Sequence, residues 1–232
     1  MNKLDKFDWG LWKEIGQKEY IYNEIFVNRD YEHFVQVEEG DTVVDVGASV
    51  GPFAKSILHK KPKKVFCIEP DTRNIPILKS NITAENVTFV EEGIGPRDGY
   101  IITDRLIDVE SKLAYSNKLN SIKVIKFNSF VRKYSIDKID YLKVDCEGHE
   151  YDIFNQENAE WIYNNVKKVS GEFHLHTPKL KRKFDLFKEV YLKKFDNYRV
   201  CDVALTDITS ELWQDWFTPS YLRIYVFIDN TN

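Results

Sequence analysis

Long apolar runs are missing from this 232-residue chain. No stretch approaches the ~20 apolar residues that a membrane-spanning helix requires, so no membrane span is expected. Cysteine is scarce: Cys67, Cys146 and Cys201 stand far apart, each inside an apolar run. They form no CxxC pair and no even-numbered set, which argues against a structural metal site and a disulfide framework. They read as buried, reduced thiols of a cytoplasmic protein. Glycine and proline, 10 and 7 residues, are too few for a collagenous or linker-like chain. Neither sign of charge dominates, since Lys+Arg 33 against Asp+Glu 37 gives a net charge of -4. That excludes a surface-wide basic field, and no nucleic-acid partner is expected. The opening, MNKLDKFDWGLWKE, is broken by charges and lacks the apolar stretch of a secretion signal. A soluble, unexported protein is the starting expectation.

The chain is 43% hydrophobic, enough at this length for one substantial core but not for two full-sized domains. Residues 1–40 read as a lead-in with a helix over Trp9 to Phe26, and 41–232 as the folded domain. Strand candidates are Val43 to Gly47, Lys64 to Glu69, Asn86 to Glu91, Ile139 to Asp145 and Lys167 to Leu175. Helix-like patterning covers Val50 to Lys60, Asp71 to Thr83, His149 to Asn165 and Lys179 to Phe195. Continuous apolar strands imply burial on both faces, the habit of a parallel sheet, and alternation with helices predicts a doubly wound α/β domain. Asn197 to Leu205 and Tyr221 to Ile228 are strand-like with no helix between them, so they should close the sheet as an antiparallel hairpin. Two basic runs, His59 to Lys64 and Lys179 to Lys183, read as solvated helix ends. The aromatic loop with Trp213, Trp216, Phe217 and Tyr221 reads as core cover or an oligomer contact, ahead of a sugar platform.

Chemistry concentrates at strand ends. In DTVVDVGASVGPF, Asp41 to Phe53, a strand ends in Asp45 and enters a turn with Gly47, Ala48 and Gly51. Small residues there let a ligand approach the backbone. The order lacks the second and third glycines of the GxGxxG dinucleotide fingerprint. An acid before the turn suits a cationic ligand instead. Glu69 ends the second strand, where a carboxylate can accept both hydroxyls of a ribose. Together these features describe an S-adenosylmethionine site. In IDYLKVDCEGHEYDIF, Ile139 to Phe154, Lys143 and Asp145 share a strand face. A buried lysine needs a carboxylate partner, expected to be Asp145 or Glu172. Glu147, His149 and Glu150 follow at a helix start, where a charged cap is the plainer role, above all for Glu150. Glu172, His174 and His176 project to one face of the fifth strand, and His174 is a candidate general base. Asp145, Glu147, His174 and His176 have no recognisable metal-ligand spacing, so no metal is expected.

VVDVGASVGPF, FCIEPDTRNIPILKSN, IDYLKVDCEGHEYDIF and GEFH together resemble the FkbM-type methyltransferases, a branch of the class I S-adenosylmethionine-dependent enzymes. The resemblance runs from about Val43 to Phe227, with KVDCEGHE its most specific element and EIFVNRDYEHFVQVEEGD a similar lead-in. It implies a Rossmann-like, mostly parallel seven-stranded sheet whose last strand is antiparallel. It implies methyl transfer to a hydroxyl of a sugar, glycan, glycolipid or natural product. Carried over, Asp45, Gly47, Ala48 and Gly51 form the cofactor turn. Glu69 holds the ribose, Pro70 and Asp71 shape its edge, and Glu92, Gly93 and Ile94 flank the adenine after Glu91. Asp145 and Glu147 lie between donor and acceptor, with His174 across the cleft. Three positions depart from the family pattern: Ser49 in the turn, His149 near the acceptor, and Asn128 before a short helix, where it can still cap.

The expected chemistry is in-line displacement, with His174 or Glu147 as base and Asp145 orienting. Methyltransferases acting on nucleobase nitrogens often carry a D/N-P-P-aromatic run where this chain has DCEG, which favours an oxygen acceptor. A nicotinamide-dependent oxidoreductase and a non-catalytic binding module stand as the alternatives, because one fold hosts many activities.

Overall fold

The structure, a computed structural model, describes residues 7–14, 16–103 and 120–231. The charged opening Met1 to Lys6 lies outside them. The strands are β1 (Thr42–Val46), β2 (Lys64–Ile68), β3 (Val87–Val90), β4 (Gly93–Ile94), β5 (Gly99–Thr103), β6 (Asn120–Ile125), β7 (Ile139–Val144), β8 (Val166–His174), β9 (Tyr198–Cys201) and β10 (Arg223–Asp229). Seven build one sheet in the order β3-β2-β1-β7-β8-β10-β9. β10 runs antiparallel to both neighbours, and the other pairings are parallel. The closing hairpin expected from the last two apolar runs is therefore present, with β10 inserted between β8 and the edge strand β9. β4, β5 and β6 form a separate three-stranded sheet, which the apolar-run reading did not find.

The helices are α1 (Leu11–Glu14), α2 (Lys18–Tyr22), α3 (Pro52–Ile57), α4 (Asn74–Asn81), α5 (Phe127–Lys133), α6 (Glu150–Ile153), α7 (Ala159–Asn165), α8 (Pro178–Val190) and α9 (Phe217–Ser220). Alternation along each strand divides the core between the sheet's two faces. Val44, Val46, Leu142 and Val144 pack with Phe127, Ile153, Phe173 and Phe187 on one side. Val43, Cys67 and Tyr141 pack with Phe53, Ile57 and Leu78 on the other, joined by Ile25, Tyr31, Val35 and Val37 of the lead-in. Strand residues buried on both faces explain the continuous apolar runs.

Two expected helices are broken. The lead-in helix divides at Gly16, whose φ of +73° lies in the left-handed region, and after α2 it widens into a π-turn over Asn23–Asn28. The stretch from His149 to Asn165 splits into α6 and α7. Asn158 Nδ2 donates to the Ile153 carbonyl at 2.8 Å and Asn155 Nδ2 to the Asp152 carbonyl at 2.8 Å. Short amide side chains compete with the helix ladder in this way. α8 begins where the sequence suggests: Pro178 occupies its first turn and Thr177 Oγ1 accepts the Leu180 N–H at 3.2 Å.

Candidate active site

The turn after β1 is built against its neighbours. Gly47 and Ala48 each donate their N–H to the Ile68 carbonyl at 3.0 Å. Gly47 has a φ of +78°, and a Cβ there would stand 1.7 Å from the Asp145 carbonyl oxygen. No other residue fits, because the turn rests on the end of β7. Ser49 also lies in the left-handed region, at φ +50°. Its N–H donates to Glu69 Oε2 at 2.8 Å, while Asp71 N–H donates to Glu69 Oε1 at 2.8 Å. Glu69 thus joins the β1 turn to the β2 edge. Burial pushes its carboxyl up to about 7. Arg73 clamps Asp71 through Nη2 at 2.6 Å, and a Cβ on Gly93 would sit 3.3 Å from Pro70.

Three of the residues expected on the cofactor side have partners within the protein. Asp45 is 0% exposed and lies beneath the turn, with Lys143 Nζ 3.3 Å from its Oδ1. Its carboxylate is paired with the buried Lys143 ammonium. Lys143 also donates to the Gly47 carbonyl at 2.9 Å, and Asp145 Oδ2 lies 3.8 Å away. The expected partner Asp145 is therefore present, Asp45 is nearer, and Glu172 takes a different cation. Glu92 is engaged by Lys123 at 2.6 Å and Lys133 at 2.9 Å, and these bonds hold its carboxyl below the usual range against the opposing effect of burial. Ile94 packs into the core. Of that trio, Gly93 is the residue that abuts the Pro70 edge.

At the ends of β7 and β8 the acids converge. Glu150 is fully buried and its Oε1 accepts the N–H groups of Cys146 at 3.3 Å and Gly148 at 2.9 Å. The same oxygen lies 2.9 Å from His174 Nδ1. Glu150 thus lies in the first turn of α6, where its carboxylate ties down the preceding loop and orients the histidine as well. His174 Nε2 faces Glu147 Oε2 at 3.4 Å and Glu172 Oε1 at 3.6 Å. Burial pulls the imidazole pKa down, but the Glu150 hydrogen bond and the surrounding acids outweigh it and raise it to about 10. These acids favour the protonated imidazole, the form that donates a proton and does not take one. Glu147 fits the base role better. Its backbone is held at φ +57°, its side chain is 53% exposed, and burial with the nearby Asp145 charge pushes its carboxyl up to about 7. A non-glycine residue held in the left-handed region is a common mark of a working site. Asp145, Glu147 and His174 present ligand atoms within 4.8 Å of one another, and His176, exposed, is outside that group.

The lead-in supplies residues that motif reading did not assign. Tyr31 OH donates to Asp145 Oδ2 at 2.8 Å, and its ring lies 5.0 Å from Lys143 Nζ. Tyr225 OH donates to Glu24 Oε1 at 2.7 Å. Arg223 bridges Glu172 at 3.0 Å and the Tyr20 hydroxyl at 3.1 Å. Trp12 Nε1 donates to Ser49 Oγ at 3.0 Å, which ties the lead-in to the turn. No glycine or acid spacing signals these contacts. The similar lead-in around EIFVNRDYEHF was their one visible trace.

Comparison with known proteins fits this geometry. The methyltransferase FkbM domain matches residues 45–198. The chain belongs to the FkbM methyltransferase family. Among its relatives, the FkbM enzyme named 31-O-demethyl-FK506 methyltransferase, from Streptomyces tacrolimicus, is 24% identical over 200 residues, spanning 68% of this chain and 75% of that protein. Ribosomal RNA small subunit methyltransferase A of Bacillus pumilus is 26% identical over 116 residues, 49% of this chain. The chain spans 39% of the length of that relative. The fold is like that of spermidine synthase solved with the transition-state analogue AdoDATO, at a TM-score of 0.52 and 16% identity over 92% of this chain and 62% of that one.

Within the FkbM frame the sequence departures are local. His149 pairs with Asp152 at 2.8 Å on the surface side of α6. Asn128 donates to Glu157 at 2.5 Å and does not cap α5, whose N-cap position is Lys126. The three cysteines are free, with Cys67 and Cys201 buried and Cys146 partly so. Among the described residues no helix is long and apolar enough to cross a membrane.

Proposed function

We propose that this methyltransferase uses S-adenosylmethionine to methylate a hydroxyl of a sugar, glycan or natural-product acceptor. The observation that carries the reading is Glu147: an accessible carboxylate beside Asp145, set at the sheet edge next to the Gly47 turn. The cofactor fits the residues present. Glu69 Oε1 accepts the Asp71 N–H and, at 3.4 Å, the Asn74 amide, while Oε2 accepts the Ser49 N–H alone and keeps a lone pair. A ribose hydroxyl supplies the missing donor there, which relieves a carboxylate that burial disfavours.

Bound there, S-adenosylmethionine supplies a methyl carbon on a sulfonium, which an acceptor oxygen takes as the carbon–sulfur pair returns to sulfur. Glu147 takes the hydroxyl proton at Oε1, its other oxygen being turned toward His174. Tyr31 and Lys143 hold Asp145 in place. Charged His174 fixes the cleft's electrostatics and does not take the proton. The similarity to an enzyme named for a 31-O-methylation agrees with an oxygen acceptor. A ribosomal RNA acceptor has less support. DCEG replaces the aromatic amine-methylation run, and two lysines of the basic runs are occupied, Lys60 by Glu32 and Lys183 by Asp152.

The test is label transfer from methyl-labelled S-adenosylmethionine to a panel of sugar nucleotides, glycans and hydroxylated natural products, beside a ribosomal RNA fragment. Label on a hydroxyl of any member of the first group supports the reading. Label on the RNA alone overturns it.

A further inference from the structure

We infer that Asp145, Glu147 and His174 bind a divalent cation of the manganese type on the acceptor side of the cleft, an inference that rests on the methyltransferase reading above. The donor set comes from two strand ends and one strained turn, so the sequence spacing that spoke against a metal does not describe it. One ligand atom from each residue lies within 4.8 Å of the others.

The histidine is oriented as a ligand is. Its Nδ1 is held by the fully buried Glu150 at 2.9 Å, and its Nε2 points among carboxylate oxygens at 3.4 and 3.6 Å without a hydrogen bond. The His174 side chain is 8% exposed, so it sits against these carboxylates with little access to solvent. A metal-bound imidazole is usually fixed in this way by a carboxylate on its other nitrogen. Glu147 Oε2 faces Nε2 and is held there by its backbone at φ +57°. Asp145 brings the third donor, and Tyr31 OH steadies it from behind at 2.8 Å.

The charge balance points the same way. Glu24, Asp145, Glu147, Glu150 and Glu172 surround the cations Lys143, His174 and Arg223. Lys143 is largely committed to Asp45, and Arg223 to Glu172. Two carboxylates and one imidazole suit a first-row divalent ion with open positions, and not the closed thiolate cage of a structural zinc. A cation held by these three residues would keep positions for oxygen ligands of the acceptor. Coordination orients the acceptor and acidifies the hydroxyl whose proton Glu147 Oε1 receives.

Manganese uptake by the full chain, followed by loss of the free-ion electron paramagnetic resonance signal, tests this. One ion per chain is expected, with E147Q and H174Q each weakening uptake by about tenfold or more. The surface variant E189Q should match wild type. An undiminished signal with wild-type protein, or equal uptake by E147Q and H174Q, overturns the proposal. Calorimetry with S-adenosylhomocysteine on the same samples checks that the variants fold and separates the two readings. Nucleoside binding without manganese uptake removes the cation alone, and manganese uptake without nucleoside binding removes the cofactor reading.

Discussion

At the scale of single residues, the account turns on two carboxylates with different tasks. Glu69 is buried and bridges two backbone N–H groups, and Glu147 is half exposed beside a cluster of acids. Replacing Glu147 with Gln keeps its shape and removes its basicity. Turnover should fall by about 10²–10⁴-fold, the usual contribution of a positioned base, while cofactor affinity stays within a factor of about two. Single-turnover label transfer beside calorimetry checks both parts. Asp45 shows how a motif residue can have a partner that the motif does not name. Sequence reading gave it a ligand role because acids before such turns face ligands. The lysine two positions before Asp145 is what fixes its task, since Lys143 pairs with it across β1 and β7. Lys143 was noticed, but which carboxylate it chose depended on strand register, and register is not written in either segment alone. The protonated state of His174 was hidden for the same reason, because its partner Glu150 comes from the neighbouring strand's loop.

At the scale of elements, the strands were legible and the lead-in was not. Buried parallel strands announce themselves as apolar runs, and the strands of the main sheet match those runs within about two residues, except β9, which stops at Cys201 while its run extends to Leu205. β4 holds two residues, too short a run to register, while β5 and β6, of five and six residues, carry Tyr100, Ser121 and Lys123 among their apolar residues. The lead-in lacks helical periodicity because its contacts are polar and specific: Trp12 to Ser49, Glu24 to Tyr225, Tyr31 to Asp145. Its role in the site is testable at Trp12. Phenylalanine keeps the packing but loses the Nε1 donor to Ser49, a bond worth about 1 kcal/mol, or roughly fivefold in affinity. W12F should weaken S-adenosylhomocysteine binding by up to about that factor and lower the melting temperature by about 2–4 °C. Unchanged affinity would show that the strap and the turn are uncoupled.

For the whole molecule, the buried ionisable groups tie stability to pH. His174 has a folded pKa of about 10 against a reference of 6.5. Its protonated form therefore adds stability that is complete below pH 6.5 and is lost as pH rises through 10. Each pKa unit corresponds to about 1.4 kcal/mol, so the effect is on the order of a few kcal/mol in chelator-treated protein. Glu69 and Glu24, both raised by burial from 4.5 to about 7, act in the same direction at lower pH. Their contribution is present below 4.5 and lost as pH climbs through 7. The melting temperature should fall between pH 6.5 and 10, and H174Q should flatten that decline. A melting curve equally steep in H174Q would remove the histidine from this role.

The account rests on Glu69 and the Gly47 turn gripping an adenosyl cofactor at the rim of the sheet, so the most direct measurement is calorimetric titration of S-adenosylhomocysteine into wild type and E69Q. One molecule bound per wild-type chain, with affinity lower by about tenfold or more in E69Q, is the predicted result. No heat with folded wild-type protein, or equal affinity in both proteins, contradicts it.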